Sequence, residues 1–222
     1  MCGRFTLTVD PAELAEQFGG VDFPKQFAPR FNIAPSQPVL AILNDGRKMA
    51  DFVLWGLIPA WAKAASSSNR IINARGETLA EKPAFRASYK YKRCLIPADG
   101  FFEWKSQGST GTKTPHFIHL KSREPFAFAA LWAESSGSEN SPIRSCAIIT
   151  TTPNELMASI HDRMPLILPQ PDYAEWIDVA PRSPESLAHL IKPYPAELMQ
   201  AYPVTTLVNS PDNDRAECIL PA

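Results

Sequence analysis

Proline is the residue that most constrains this chain. Twenty-two of its 222 residues are proline and only ten are glycine. Each proline fixes its own φ and removes a backbone donor. The prolines are spread along the sequence, with hydrophobic runs between them. The chain therefore reads as many short elements joined at fixed corners, not as disorder. Apolar residues make up 45% and charged residues 20%, ordinary values for a soluble globular protein. This length buries a core without disulfide or metal staples, and one domain spanning 1–222 is expected.

The elements between the corners are mostly strand-like. Runs rich in β-branched and aromatic residues occur at Val39–Leu43, Phe52–Trp55, Cys94–Pro97, Gly100–Trp104, Phe117–Leu120, Phe126–Trp132, Ser145–Thr151, Leu166–Leu168 and Val204–Val208. Helix starts are signalled at Asp10-Pro11-Ala12-Glu13, an N-cap followed by Pro and a capping-box acid. Thr152-Pro153-Asn154-Glu155 repeats that pattern and predicts a helix running to about His161. Pro171-Asp172 and Ser183-Pro184-Glu185 predict two more starts. A further helix is expected near Glu77–Ala87, weakened by Pro83. Loops are expected at Ala64–Asn69, Ser106–Lys113 and Ser135–Ser141. The expected fold class is α+β, with an antiparallel, barrel-like β core flanked by several helices.

The net charge of −1 excludes a globally basic protein that coats nucleic acid. Locally the balance differs. Eight basic residues lie between Lys63 and Arg93, opposed only by Glu77 and Glu81. A phosphate-binding face would look like this, and so would a solvated helix face. No apolar run approaches the ~18–20 residues of a membrane span. The opening MCGRFTLTVD lacks an apolar signal-peptide region, so a cytoplasmic location is expected. The four cysteines, Cys2, Cys94, Cys146 and Cys218, are far apart and form no CxxC. Neither a disulfide framework nor a cysteine zinc site is expected.

A few residues could carry chemistry. Removal of Met1 would give Cys2 a 1,2-aminothiol. Its amine has a reference pKa of ~7.7–8.0 and its thiol ~8.5, so both nucleophiles are partly available near neutral pH. Such a pair attacks an aldehyde through nitrogen and closes through sulfur to a thiazolidine. It can also attack an amide through sulfur alone. The competing reading is a chance cysteine in a tail. Glu103 lies within Asp99-Gly100-Phe101-Phe102-Glu103-Trp104, where aromatics would exclude water and raise a carboxyl pKa. Period-two alternation places it on one face with Phe101. The competing reading is an exposed strand acid. His161 closes the helix expected from Thr152 and is suited to proton shuttling, or to simple capping. Asn73 and Arg75 share a side of an extended segment and offer amide hydrogen bonding and a phosphate fork. His116 and His119 have no acidic or cysteine partner nearby in sequence and read as structural, and His189 lies in a helix. No metal ligand set is expected.

These signals occur in a fixed order. They run Met1-Cys2-Gly3-Arg4-Phe5, Asn32-Ile33-Ala34-Pro35, Trp55-Gly56-Leu57-Ile58-Pro59, Asn73-Ala74-Arg75-Gly76-Glu77, Pro97-Ala98-Asp99-Gly100-Phe101-Phe102-Glu103-Trp104 and Ile160-His161-Asp162-Arg163-Met164-Pro165. Together they resemble the SOS-response-associated peptidase family, the abasic-site processing proteins, over residues 2–209. The resemblance implies covalent capture of abasic sites in single-stranded DNA as a thiazolidine, with accompanying lyase and self-processing peptidase activity. It implies Cys2 as nucleophile, Asn73 orienting sugar and amine, and Glu103 and His161 moving protons. Gly3, Arg4, Arg75 and Arg86 would hold phosphates, with Pro35, Trp61 and Thr150 near the DNA path. Ala62 stands where some relatives carry a second aromatic. No cofactor is implied. The implied partners are single-stranded DNA with abasic sites and replication-fork proteins, with no membrane, for a monomer on the nucleoid if bacterial.

Three other readings fit the same residues. Glutamine amidotransferase domains also begin Met-Cys-Gly, but this chain has no second synthase domain to receive ammonia. A noncatalytic single-strand binder would leave Cys2 incidental and bind reversibly. A protein-binding scaffold has in support only the acidic stretch from Gln170 onward, where eight acids face three basic residues.

Overall fold

The computed structural model describes residues 2–62, 70–108, 111–136 and 142–222. In chain order the strands are β1 (Arg4–Leu7), β2 (Arg30–Ile33), β3 (Pro38–Leu43), β4 (Ala50–Trp55), β5 (Asn73–Arg75), β6 (Arg93–Ala98) and β7 (Gly100–Ser106). They continue with β8 (Lys113–Leu120), β9 (Phe126–Ser136), β10 (Pro142–Thr151), β11 (Met164–Pro165), β12 (Ile167–Leu168) and β13 (Met199–Pro203). The helices are α1 (Pro11–Gln17), α2 (Arg86–Tyr91), α3 (Glu155–Ala158), α4 (Tyr173–Trp176) and α5 (Pro184–Leu187).

Five strands close a ring in the order β10–β4–β3–β6–β9 and back to β10. The fold is α+β around a β-barrel, as the strand-rich sequence implies. The barrel is antiparallel except at one seam, where β4 and β10 run parallel through Leu54 and Ser145. β5 also lies parallel on β10. A second sheet, ordered β13–β8–β7–β1–β2, packs beside the barrel. The alanines of β9 (Ala127, Ala129, Ala130 and Ala133) are all buried. Phe5 joins the two layers. Its ring meets Trp55 at 5.2 Å and Phe128 at 5.7 Å, both edge-on. Burying such a ring contributes about 1.5–3 kcal/mol, so β1 is anchored at its second residue.

Helix α1 begins where expected. The Asp10 side chain accepts from the amides of Ala12 and Glu13, satisfying donors that the first turn leaves open. Ser183 caps α5 in the same way, accepting from Ser186 N.

Other elements differ from the sequence reading. The N-cap of α3 is Asn154, not Thr152, and its side chain accepts from Met157 N. That helix stops at Ala158, so His161 sits in the turn beyond it. The segment 77–87 is not one helix. Gly76–Thr78 is a 3₁₀ turn, and α2 starts only at Arg86, after Pro83. Val204–Val208 is not a strand. β13 ends at Pro203, and Thr206–Asn209 is a 3₁₀ turn. Ser106 and Lys113 belong to β7 and β8, and Ser135 and Ser136 extend β9. The expected loop at 64–69 and Lys63 lie outside the described residues, as does Met1. Among the described residues no helix is long and apolar enough to cross a membrane.

Candidate active site

The site is assembled by three strands and one turn. β1 pairs antiparallel with β7, matching Arg4 to Phe102 and Phe5 to Phe101. Continued by one residue, this register sets Gly3 beside Glu103. Asp99 locks it, because its carboxylate accepts from the Thr6 and Thr8 hydroxyls and, at 2.7 Å, from Thr8 N. Gly100 permits the close approach of β8. A Cβ there would stand 2.2 Å from the Phe117 ring.

Glu103 is only 2% exposed. Alternation along β7 separates its neighbours: Phe101 joins the main core, and Phe102 joins a smaller cluster with Phe117, Val204, Val208 and Cys218. Burial raises the Glu103 carboxyl above its usual value, opposed by the nearby His161. His161 reaches it from the turn after α3, with Nε2 3.9 Å from Glu103 Oε2. The His161 side chain is 26% exposed, so the pair spans from the interior to the surface.

Cys2 is buried, and its Sγ lies 3.9 Å from Arg4 O. Burial drives the thiol well above the ordinary range, and the negative charge of Glu103 adds to this. In this environment sulfur keeps its proton until a base removes it. Asn73, on β5, donates from Nδ2 to Cys2 O at 2.8 Å. Its Oδ1 is buried with no hydrogen-bond partner among the described residues. Cys2, Asn73, Glu103 and His161, which span most of the sequence, thus converge on one point. All four cysteines are free and buried.

The residues named for DNA contact differ in setting. Arg75 is exposed on β5, paired with Thr150 of β10. Thr150 is itself buried. Gly3 lies half-buried beside β1. Pro35 is half-buried in the turn after β2, next to Ser36, whose φ of 67° is left-handed. Trp61 is 75% exposed. Arg86 opens α2, and among the described residues no hydrogen bond or ion pair joins it to the Cys2 cluster. Arg4 is engaged within the fold. Its guanidinium donates to Asn32 Oδ1 at 3.2 Å, Val208 O at 2.5 Å and Asn209 O at 3.4 Å. The basic stretch is not a uniform surface either. Arg93 is fully buried, and its guanidinium is satisfied by the carbonyls of Trp176, Tyr89, Lys90, Asp178 and Ala180.

Two residues at this site carried no role in the sequence reading. Arg163 forks onto Glu77, with Nη1–Oε1 2.8 Å and Nη2–Oε2 2.9 Å, and also donates to Thr150 O at 2.8 Å. Both stand inside the ordered motifs, but 86 positions apart, and nothing local pairs them.

The model of the SOS response associated peptidase (SRAP) family matches residues 1–211. The abasic site processing protein YoaM of Bacillus subtilis is 49% identical over 99% of this chain and 97% of its own length. The abasic site processing protein HMCES of Xenopus tropicalis is 30% identical over 99% of this chain and 78% of its own. A crystal structure of a protein from Bacteroides thetaiotaomicron superposes with a TM-score of 0.88 at 25% identity, covering all of both chains. A match of this extent to the family model, with the Bacillus subtilis relative aligned nearly end to end, places the chain in the SOS response associated peptidase family.

Proposed function

We propose that this protein captures abasic sites in single-stranded DNA covalently, through Cys2 freed of Met1. The observation that carries the reading is the convergence of Cys2, Asn73, Glu103 and His161 on one partly buried point. The printed names of the relatives, abasic site processing proteins, agree with it.

The geometry suits an ordered reaction. The α-amine of mature Cys2 attacks the aldehyde of the ring-opened sugar, and Asn73 Oδ1, buried without a partner among the described residues, can accept a hydrogen bond from it. The carbinolamine must lose water. Its leaving hydroxyl needs a proton, and a carboxyl kept neutral by burial, such as Glu103, can give one. Sulfur then adds to the iminium carbon, and its proton returns to the Glu103 carboxylate that protonated the leaving water, with His161 beside it. The ring nitrogen keeps the proton it already carries, so the net change is one water lost. Ring closure needs the imine carbon, so the amine reacts before sulfur. The same imine permits β-elimination, so some strand cleavage accompanies capture. Self-removal of Met1 belongs to the same proposal.

Exposed Arg75 offers a phosphate fork that carries no sequence preference, and Trp61 offers a stacking surface for a base. Both suit a lesion met in any context. The test is intact mass after mixing the protein with single-stranded DNA bearing one abasic site, beside an undamaged strand. The expected product is a heat-stable adduct on the abasic strand alone, lighter than the sum by one water and lacking Met1. No adduct, with Met1 absent and the aldehyde present, overturns the proposal.

A further inference from the structure

A neutral His161 can turn an N–H toward Glu103 only if its proton sits on Nε2, the nitrogen that faces Oε2 at 3.9 Å. A neutral imidazole carries one proton, and the partner of the other nitrogen decides where it resides. At Nδ1 two partners compete. The backbone amide of Arg163 lies 3.0 Å away. An amide N–H only donates, so it requires a lone pair on Nδ1 and sends the proton to Nε2. The Asp162 carboxylate Oδ1 lies 2.9 Å from the same Nδ1. A carboxylate only accepts, so it draws the proton to Nδ1. One ring nitrogen cannot satisfy both.

The balance turns on how firmly each rival is held. The Asp162 side chain is 88% exposed, so water and salt screen it and an ordered pose costs rotamer freedom. The Arg163 amide is held through its own side chain. That side chain is mostly buried and gripped by both oxygens of Glu77 and by Thr150 O. A planar fork on a carboxylate fixes geometry as well as charge. Arg163 in turn keeps the Glu77 carboxyl below its usual value, so the fork stays charged on both sides at neutral pH.

The geometry points to Glu77 as a positioning residue. Through Arg163 it sets the tautomer of His161, so that the neutral ring presents Nε2–H to Glu103 and cannot accept a proton on that side. Glu77 need not touch the substrate. It sits on the 3₁₀ turn that follows β5, so the segment bearing Asn73 and Arg75 is tied to the turn bearing His161. The kinetic part of this inference rests on the capture chemistry proposed above. The tautomer part does not.

The test uses the full-length protein labelled with ¹⁵N-histidine. Long-range ¹H–¹⁵N correlation at alkaline pH, without DNA, reads the His161 tautomer. The parent protein is expected to be predominantly Nε2–H. Glu77→Ala should raise the Nδ1–H fraction severalfold, and the double variant Glu77→Ala/Asp162→Asn should return it toward the parent. A misfolded variant would not be rescued by removing a neighbouring charge, so the double variant separates tautomer control from general damage. With abasic DNA at saturation, Glu77→Ala should form adduct about tenfold more slowly, the scale of a small misplacement of a reacting group, with no loss of DNA affinity. The double variant should recover most of that rate. A folded Glu77→Ala with the parental tautomer overturns the inference, and so does a double variant that restores nothing. If the parent itself forms no adduct, the capture reading falls alone, because the tautomer is measured without DNA.

Discussion

At the scale of single residues, the chemistry depends on groups placed where their ordinary states are disfavoured. Cys2→Ala should abolish the heat-stable adduct, read by denaturing gel, and leave DNA affinity within about twofold, since the thiol faces the interior. Glu103→Gln should slow adduct formation by about 10²–10⁴, the usual contribution of a positioned acid or base, with binding unchanged. The same variant has a stability signature. The folded-state carboxyl of Glu103 is raised by burial, so the folded state holds its proton at pH values where the unfolded chain has released it. The parent therefore loses stability as pH rises from the unfolded pKa through the folded one. Gln carries no such linkage. Thermal melts should show Glu103→Gln gaining on the parent from acid toward neutral pH, and convergence at neutral pH would contradict the buried-acid assignment. Arg75→Ala should lower the salt dependence of DNA binding by about one unit of log–log slope. The aromatics flanking Glu103 already pointed to a raised carboxyl. The burial of the Cys2 thiol was not legible, because nothing local to an N-terminal segment announces it.

At the scale of elements, the site is only as well ordered as β1. That strand is short, and its hold comes from Phe5 in the barrel and from Asp99 across the register. Phe5→Ala should destabilise the fold by about 3–5 kcal/mol, as large aromatic deletions in cores do, measured by denaturant unfolding. Gly100→Ala should cost about 1–3 kcal/mol by overpacking against Phe117. Helix caps were readable because they are local: Asp10 and Ser183 bond amides two or three residues ahead. Thr152 was a plausible cap by residue type, but Asn154 took the role. Val204–Val208 has the composition of a strand and forms none beyond the bridge from Val204 to Pro221. Instead, Val208 O accepts from both Arg4 and Asn32 Nδ2, and those long-range bonds override β propensity.

At the scale of the whole molecule, the C-terminal segment closes over β2, the strand paired with β1. Asp214 accepts from Arg30 and from the amides of Phe31 and Asn32, the latter at 3.0 Å. Asp214→Ala should lower unfolding free energy by about 1–3 kcal/mol, the cost of leaving such donors unpaired, and should slow capture through Arg4. Acid should act on the whole fold through His119. It is buried, its folded-state pKa is lowered by burial, and the unfolded chain binds its proton first. Stability should therefore fall as pH drops below about 6.5, and His119→Gln should flatten that limb of the curve.

By itself, the sequence determined the class of fold and the chemical vocabulary. Proline spacing and β-branched runs are local properties, and they suffice to specify short strands around a β core. The ordered motifs named Cys2, Asn73, Glu103 and His161 because residue type and neighbours survive in any reading of the chain. The tertiary structure alone decided which of these groups meet and in what protonation state. The parallel seam of the barrel, the burial of the Cys2 thiol, the diversion of Arg4 to backbone carbonyls and the grip of Glu77 on Arg163 join residues remote in sequence. Their energies come from desolvation and from directional bonds across those distances, and neither exists until the chain has closed upon itself.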